Sequence, residues 1–114
     1  MYEYRATVVK VVDGDTLIVL TDLGFSIFSQ QTLRLYGINA PEMVGPSKTS
    51  GQASKAYLES LLPVGVSVVI NTYIDKKEKW GRYLASIPCG DSSISEKMIE
   101  AGHAVKYDGK GPRP

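Results

Sequence analysis

A single cysteine, Cys89, rules out an intrachain disulfide and any metal site built from several thiolates. It reads as a small core residue. Histidine is equally scarce. His103 alone excludes a histidine-rich metal cluster and argues against a Ser/His/Asp triad. There is also no surplus of either charge: 13 basic and 12 acidic residues leave a net +1, so attraction to a polyanion must be local rather than global. No apolar run approaches the roughly 20 residues needed to span a bilayer. The segment from Met1 to Arg5 has no apolar core of the kind a secretory signal needs. The cytoplasm is therefore the expected location. Repeats and low-complexity stretches are absent too.

What is present suits one domain with one core: 114 residues, 43% of them hydrophobic. Ala6 to Val12 is rich in β-branched residues and reads as a strand. Asp13-Gly14-Asp15 is turn chemistry, with Gly14 expected at positive φ. Thr16 to Thr21 is a second strand, with Leu17, Val19 and Thr21 on one face. Asp22-Leu23-Gly24 turns the chain, Phe25 to Phe28 is weakly patterned, and a third strand runs from about Gln31 to Ile38. Its alternation puts Leu33 and Leu35 on one face and Arg34, Tyr36 and Ile38 on the other. Pro41 then forces a turn.

Thr49 or Ser50 is expected to cap a helix, with Gln52 completing a capping box. Ala53, Ala56, Tyr57, Ser60 and Leu61 would form its inner face, widened by Leu58 and Leu62, and Pro63 ends it. Val66 to Tyr73 is a fourth strand, Asp75 to Lys79 a charged connection, and Arg82 to Pro88 a fifth strand. Ser93 and Glu96 form a second capping box for a short helix, Ile94 to Ala101, with Gly102 as its stop. Met98 and Ile99 are the residues expected to face the core. The chain is thus mainly β (α+β). Five short strands, with a helix between the third and fourth and a short C-terminal helix, are the layout of an OB-fold barrel. Residues 1–107 form the domain, and 108–114, rich in Gly and Pro, read as a loose tail.

Three charged clusters sit at strand edges. Asp13 and Asp15 flank a glycine, which suits either a plain hairpin turn or part of a hard-cation site. The remaining positions of an EF-hand are missing. With Asp15, Asn39 and Glu42 could come from the end of the third strand, and the Ala40 carbonyl is an admissible ligand. Arg34 and Arg82 lie on separate strands. Paired guanidinium forks match phosphate oxygens, and Glu42 could take a proton from an attacking water. Lys76, Lys77 and Lys79 beside Trp80, with Tyr83 close behind, suit a solvated connection or a surface for single-stranded nucleic acid.

Together these stretches resemble the staphylococcal (thermo)nuclease family. The resemblance rests on Val12-Asp13-Gly14-Asp15-Thr16, on Arg34 to Glu42, on Gly51-Gln52-Ala53-Ser54, on Lys79 to Ala85, and on Ile99 to Ala104, and it spans roughly residues 4–107. It implies an OB-fold barrel and Ca²⁺-dependent cleavage of single-stranded or unpaired DNA and RNA to 3′-phosphates. Residue by residue, it implies Asp15 as metal ligand with Asn39 and the Ala40 carbonyl. It implies Arg34, Glu42 and Arg82 as catalytic residues, and Asp13 and Thr16 as support for the metal and its water. Lys79, Trp80, Tyr83 and Tyr107 are the candidate substrate contacts. Asn39 stands where the family usually has an aspartate, so weak Ca²⁺ binding is expected, and Trp80 stands where a tyrosine is common. The sequence stops at Pro114, before the long C-terminal helix of larger members, and a monomer is expected, with weak dimerisation the alternative. A nuclease-like barrel that binds nucleic acid or a protein without cleaving is the competing reading.

Overall fold

The expected hairpin forms from β1 (Tyr2–Asp13) and β2 (Thr16–Asp22). The structure, a computed structural model, describes residues 2–77 and 81–107, and over 74–77 the backbone alone. On β2 the inward residues Leu17, Val19 and Thr21 are buried as the alternation requires. β1 serves two neighbours. Its first half, Tyr2 to Thr7, pairs with β5 (Ser67–Lys77), and from Arg5 onward it pairs with β2. Register shifts between Val8 and Lys10 and between Val11 and Asp13 coil it enough to do both. β3 (Phe28–Leu35) runs antiparallel to β2 and parallel to β6 (Tyr83–Ser86), and β6 returns antiparallel to β5. This closes a barrel in the order β1-β2-β3-β6-β5, so the five-stranded barrel expected from the sequence is present.

Val8, Leu17, Val19, Leu33, Leu35, Ile70 and Ala85 fill the barrel. Leu58 and Leu62 add to that core from α1 (Lys48–Leu61) and its end, and Ile94 and Met98 from α2 (Ile94–Glu100). Each fully buried aliphatic side chain of this kind stabilises the fold by about 1.5–3 kcal/mol. Two-residue ladders complete the structure: β4 (Ile38–Asn39) with β9 (Val105–Lys106), and β7 (Pro88–Cys89) with β8 (Ser92–Ser93).

Several local expectations need correction. The third strand does not run on to Ile38. Gly37, at φ 83°, turns the chain, so the alternation restarts and Ile38 is fully buried rather than sharing Arg34's face. Helix α1 begins at Lys48, after a short 3₁₀ turn over Gly45–Ser47, and carries no side-chain cap at Ser47. Thr49 therefore lies inside the helix and there is no capping box. The buried helix face is Gly51, Ser54 and Leu58; Ala53, Ala56 and Ser60 are exposed. The apolar pattern misled here because two of the three inward positions are Gly and Ser. The connection expected from Asp75 is strand as far as Lys77. Cys89 is half-buried in an edge ladder instead of in the core. The second helix behaves as read: Ser93 Oγ accepts from the Glu96 N–H at 3.2 Å, and Gly102 follows at φ 77°.

Gly14 is needed for a different reason than the one expected. It is not among the positive-φ glycines. A Cβ at Gly14 would lie 2.6 Å from that of Ala40 and 2.7 Å from that of Ser54. The hairpin turn is therefore pressed between the end of β4 and helix α1. That contact carries the site.

Candidate active site

Asp15 is the fixed point. It is 1% exposed. Its Oδ1 accepts from Thr16 Oγ1 at 3.0 Å and its Oδ2 from the Ala40 N–H at 3.0 Å. Its own N–H donates to Asp13 Oδ1 at 3.1 Å, and its carbonyl accepts from the Leu35 N–H at 2.8 Å. Thus the β1–β2 turn, the end of β3 and the segment after β4 are all tied to this one residue. Arg82 joins through Thr16: its Nη1 donates to Thr16 Oγ1 at 3.1 Å, so the hydroxyl relays between arginine and carboxylate.

Arg34 lies on the other side of Asp15, with Nη2 3.9 Å from Oδ2. Its fork is largely spent inside the protein. Nη1 donates to the carbonyls of Leu35 at 3.0 Å and Ile38 at 2.8 Å, and Nη2 donates to Asn39 Oδ1. These bonds lock the Gly37 turn, and the side chain is only 11% exposed. The Tyr107 ring lies over the guanidinium, 5.3 Å from centroid to Cζ, in reach of a cation–π attraction. Tyr107 is positioned by its N–H, which donates to Gly37 O at 2.9 Å, and by the β4–β9 ladder just before it.

An open cleft of about 670 Å³ lies over this arrangement, and Asp13, Thr16, Asn39, Glu42, Arg82 and Tyr107 line it. Six of the residues singled out from the sequence therefore share one opening, while Asp15 and Arg34 stand behind it. Tyr83 does not join them. It follows Arg82 on β6 and so points the other way, into a separate cavity of about 240 Å³ with Tyr4, Leu33 and Ile70. Lys79 and Trp80 lie outside the described residues. His103 packs beside Tyr57, ring centroids 4.9 Å apart, away from the cleft.

Sequence reasoning gave no role to Gly51 or Ser54. A Cβ on Gly51 would stand 2.3 Å from the Glu42 carbonyl oxygen and 2.9 Å from Met43 Cα. Ser54 is fully buried and donates to the His103 carbonyl at 2.6 Å. Small residues on an otherwise polar helix face were the available signal. In an ordinary helix Gly→Ala gains about 1 kcal/mol. Here overpacking against backbone, typically about 1–3 kcal/mol, opposes that gain and outweighs it. Gly51→Ala is expected to lower the thermal midpoint by several degrees. A midpoint equal to or above the parental value would show that the Glu42 segment is not held by this contact.

The chain matches the family model described as "Staphylococcal nuclease homologue" over residues 32–113. The chain belongs to the staphylococcal nuclease family. It is 32% identical over 104 residues to the thermonuclease of Staphylococcus hyicus, covering 90% of this chain and 59% of that protein. It is 35% identical over 82 residues to a probable staphylococcal-like nuclease of Oryza sativa (72% of this chain, 21% of the relative). Against an endonuclease of Bacillus subtilis the identity is 25% over 114 residues, covering 92% and 9%. The chain thus spans little more than half the length of the first of these and far less of the others.

Within this staphylococcal nuclease domain, oxygen donors for a cation are few. Among the described residues no three of His, Cys, Asp or Glu cluster together. The bonds from Thr16 and Ala40 engage both Asp15 oxygens, and Arg34 Nη2 stands 3.9 Å from Oδ2. Asn39 Oδ1 is engaged by Arg34. The donors present are one buried carboxylate with neutral oxygens beside it, a set that would hold a hard cation only weakly.

Proposed function

We infer that this domain hydrolyses phosphodiester bonds in single-stranded or unpaired DNA or RNA, with a weakly held Ca²⁺ ion. The observation that carries the reading is the shared cleft: Glu42 and Arg82 open into one space beside Thr16, and Thr16 is fastened to Asp15. Asp15 would hold the ion, with the Asn39 amide oxygen and the Ala40 carbonyl. When bound, it would neutralise charge on the phosphate. Arg82 donates to the phosphate oxygens, where charge builds as the phosphorus becomes five-coordinate. Glu42, at the exposed rim, accepts the proton of the attacking water. Arg34 supplies a second positive charge from behind, and Tyr107 offers a ring to a base.

The competing reading, binding without cleavage, is supported by the engagement of Arg34 and by the missing carboxylate at Asn39. Degradation of single-stranded DNA and of RNA, each measured with Ca²⁺, with Mg²⁺ and with chelator, separates the two. Cleavage that chelator abolishes supports the nuclease. Binding with no cleavage under any condition overturns it.

Asn39 allows a sharper test. Site charge sets Ca²⁺ affinity over about 10⁻⁹ to 10⁻³ M, and an amide removes one charge while keeping an oxygen. Ca²⁺ binding by the parent is expected toward the millimolar end, strengthened by bound nucleotide, which contributes its own negative charge. Asn39→Asp should tighten Ca²⁺ in a calorimetric titration. Unchanged Ca²⁺ affinity, with and without a non-cleavable nucleotide, would mean that position 39 serves Arg34 alone.

A further inference from the structure

Outside the cleft, Tyr36 and Tyr73 stack with ring centroids 4.1 Å apart and planes 23° apart. Tyr36 sits on a rigid mount. Its N–H donates to the Ala85 carbonyl at 2.8 Å and its carbonyl accepts from Ser95 Oγ at 3.0 Å, so β6 and α2 fix it on either side. Tyr73, half-buried on β5, supports one face of the ring, yet Tyr36 remains 48% exposed.

Its position gives that surface a use. Leu33 and Leu35 point into the barrel, so Thr32 and Arg34 follow one another on the outer face of β3, and Tyr36 stands in the turn just past the strand's end, tied to β6 through the Ala85 carbonyl. The step from Thr32 to Arg34 is about 6.6 Å, two residues of strand. Thr32 lines the cleft, Arg34 comes next with its charge, and Tyr36 ends the row. A strand of nucleic acid that places a phosphate in the cleft and runs along β3 brings a neighbouring base to the Tyr36 ring.

We propose that Tyr36, backed by Tyr73, is a stacking subsite for an unpaired nucleobase adjacent to the nucleotide bound in the cleft. This rests on the nucleic-acid reading of the cleft and deepens it. Stacking on an aromatic face tolerates every base but requires that the base be out of a duplex. The subsite therefore selects single-stranded over double-stranded substrate, without selecting sequence.

The test uses the parent protein in chelator and a short labelled single-stranded DNA carrying one abasic residue at each position in turn, with affinity read by fluorescence anisotropy. One position should lose about tenfold, the loss of a single base–aromatic stack, and keep that loss in Tyr107→Leu, which removes the ring inside the cleft. In Tyr36→Leu the intact oligonucleotide should already bind about tenfold more weakly, and the abasic residue at that position should cost nothing further. Tyr36→Phe should behave as the parent. A flat abasic scan in the parent, no binding of the parent at all, or losses that simply multiply in Tyr36→Leu would overturn the subsite. Because the scan needs only the parent, a poorly folded variant does not remove the test. Hydrolysis by the parent of a small ester with one phosphodiester bond reports cleavage separately. Hydrolysis with a flat scan sinks the subsite and leaves the nuclease. A positive scan without hydrolysis supports the subsite and removes the nuclease.

Discussion

Arg82→Ala is expected to cleave single-stranded DNA at least about a hundredfold more slowly than the parent while its thermal midpoint falls by only several degrees. Arg82 is half-buried, and its described bond is to Thr16 Oγ1 at the cleft wall. Losing one donor to developing charge costs about 3 kcal/mol of transition-state stabilisation. Losing one partly exposed hydrogen bond costs folding about 0.5–1.5 kcal/mol. The effect on rate should therefore exceed the effect on stability. Arg82→Lys should recover part of the rate, since the charge returns without the planar fork. Single-turnover cleavage and a thermal melt of the same preparations decide it. Equal rates for Arg82→Ala and the parent would remove Arg82 from the chemistry and shift the burden to Arg34.

The second large effect concerns Glu42. Its side chain lines the cleft, and its backbone carbonyl accepts from Ser47 Oγ at 2.9 Å and meets Gly51 of α1 closely. The backbone is held, so Glu42→Gln should leave the loop in place. The amide has nearly the shape of the carboxylate but accepts no proton near neutral pH. General-base catalysis is worth about a hundredfold to ten-thousandfold, so Glu42→Gln should cleave slower by a factor in that range. It should bind a short oligonucleotide as well as the parent or slightly better, because a negative charge near phosphate is gone. Unchanged cleavage would mean that the attacking water needs no base from this residue. Cleavage and binding lost in parallel would make Glu42 a structural residue of the cleft.

The sequence carried the barrel because barrel strands leave a strong record. Leu17, Val19, Leu33 and Leu35 alternate with polar or outward residues, and a period of two has one structural meaning. The helix face was misread for the opposite reason. Gly51 and Ser54 face inward because the Glu42 segment and the β1–β2 turn approach too closely for larger side chains, and a pattern of apolar residues cannot register a contact that demands their absence. The cleft was legible as a set of residue types but not as a shape. Nothing local in Arg34 says that its fork turns back onto Leu35, Ile38 and Asn39, since that depends on the Gly37 turn. Tyr83 was grouped with the lysines and Trp80 by closeness in sequence, and the fold turns it into the other cavity.

The parallel pairing of β3 with β6 also bears on how the molecule comes together. Leu33 pairs with Tyr83, some fifty positions further along, and this seam anchors the segment that brings Arg82 to a cleft whose Asp13, Thr16, Asn39 and Glu42 come from earlier in the chain. The β1–β2–β3 meander can form from neighbouring segments, but the seam waits for a long loop to close. Such non-local pairings are the slow part of folding. A nascent or refolding chain would therefore hold Asp15, Arg34 and Glu42 near one another before Arg82 arrives, and catalytic competence should be among the last properties to appear. In a refolding experiment, secondary structure should return first and phosphodiester cleavage only with closure of the seam.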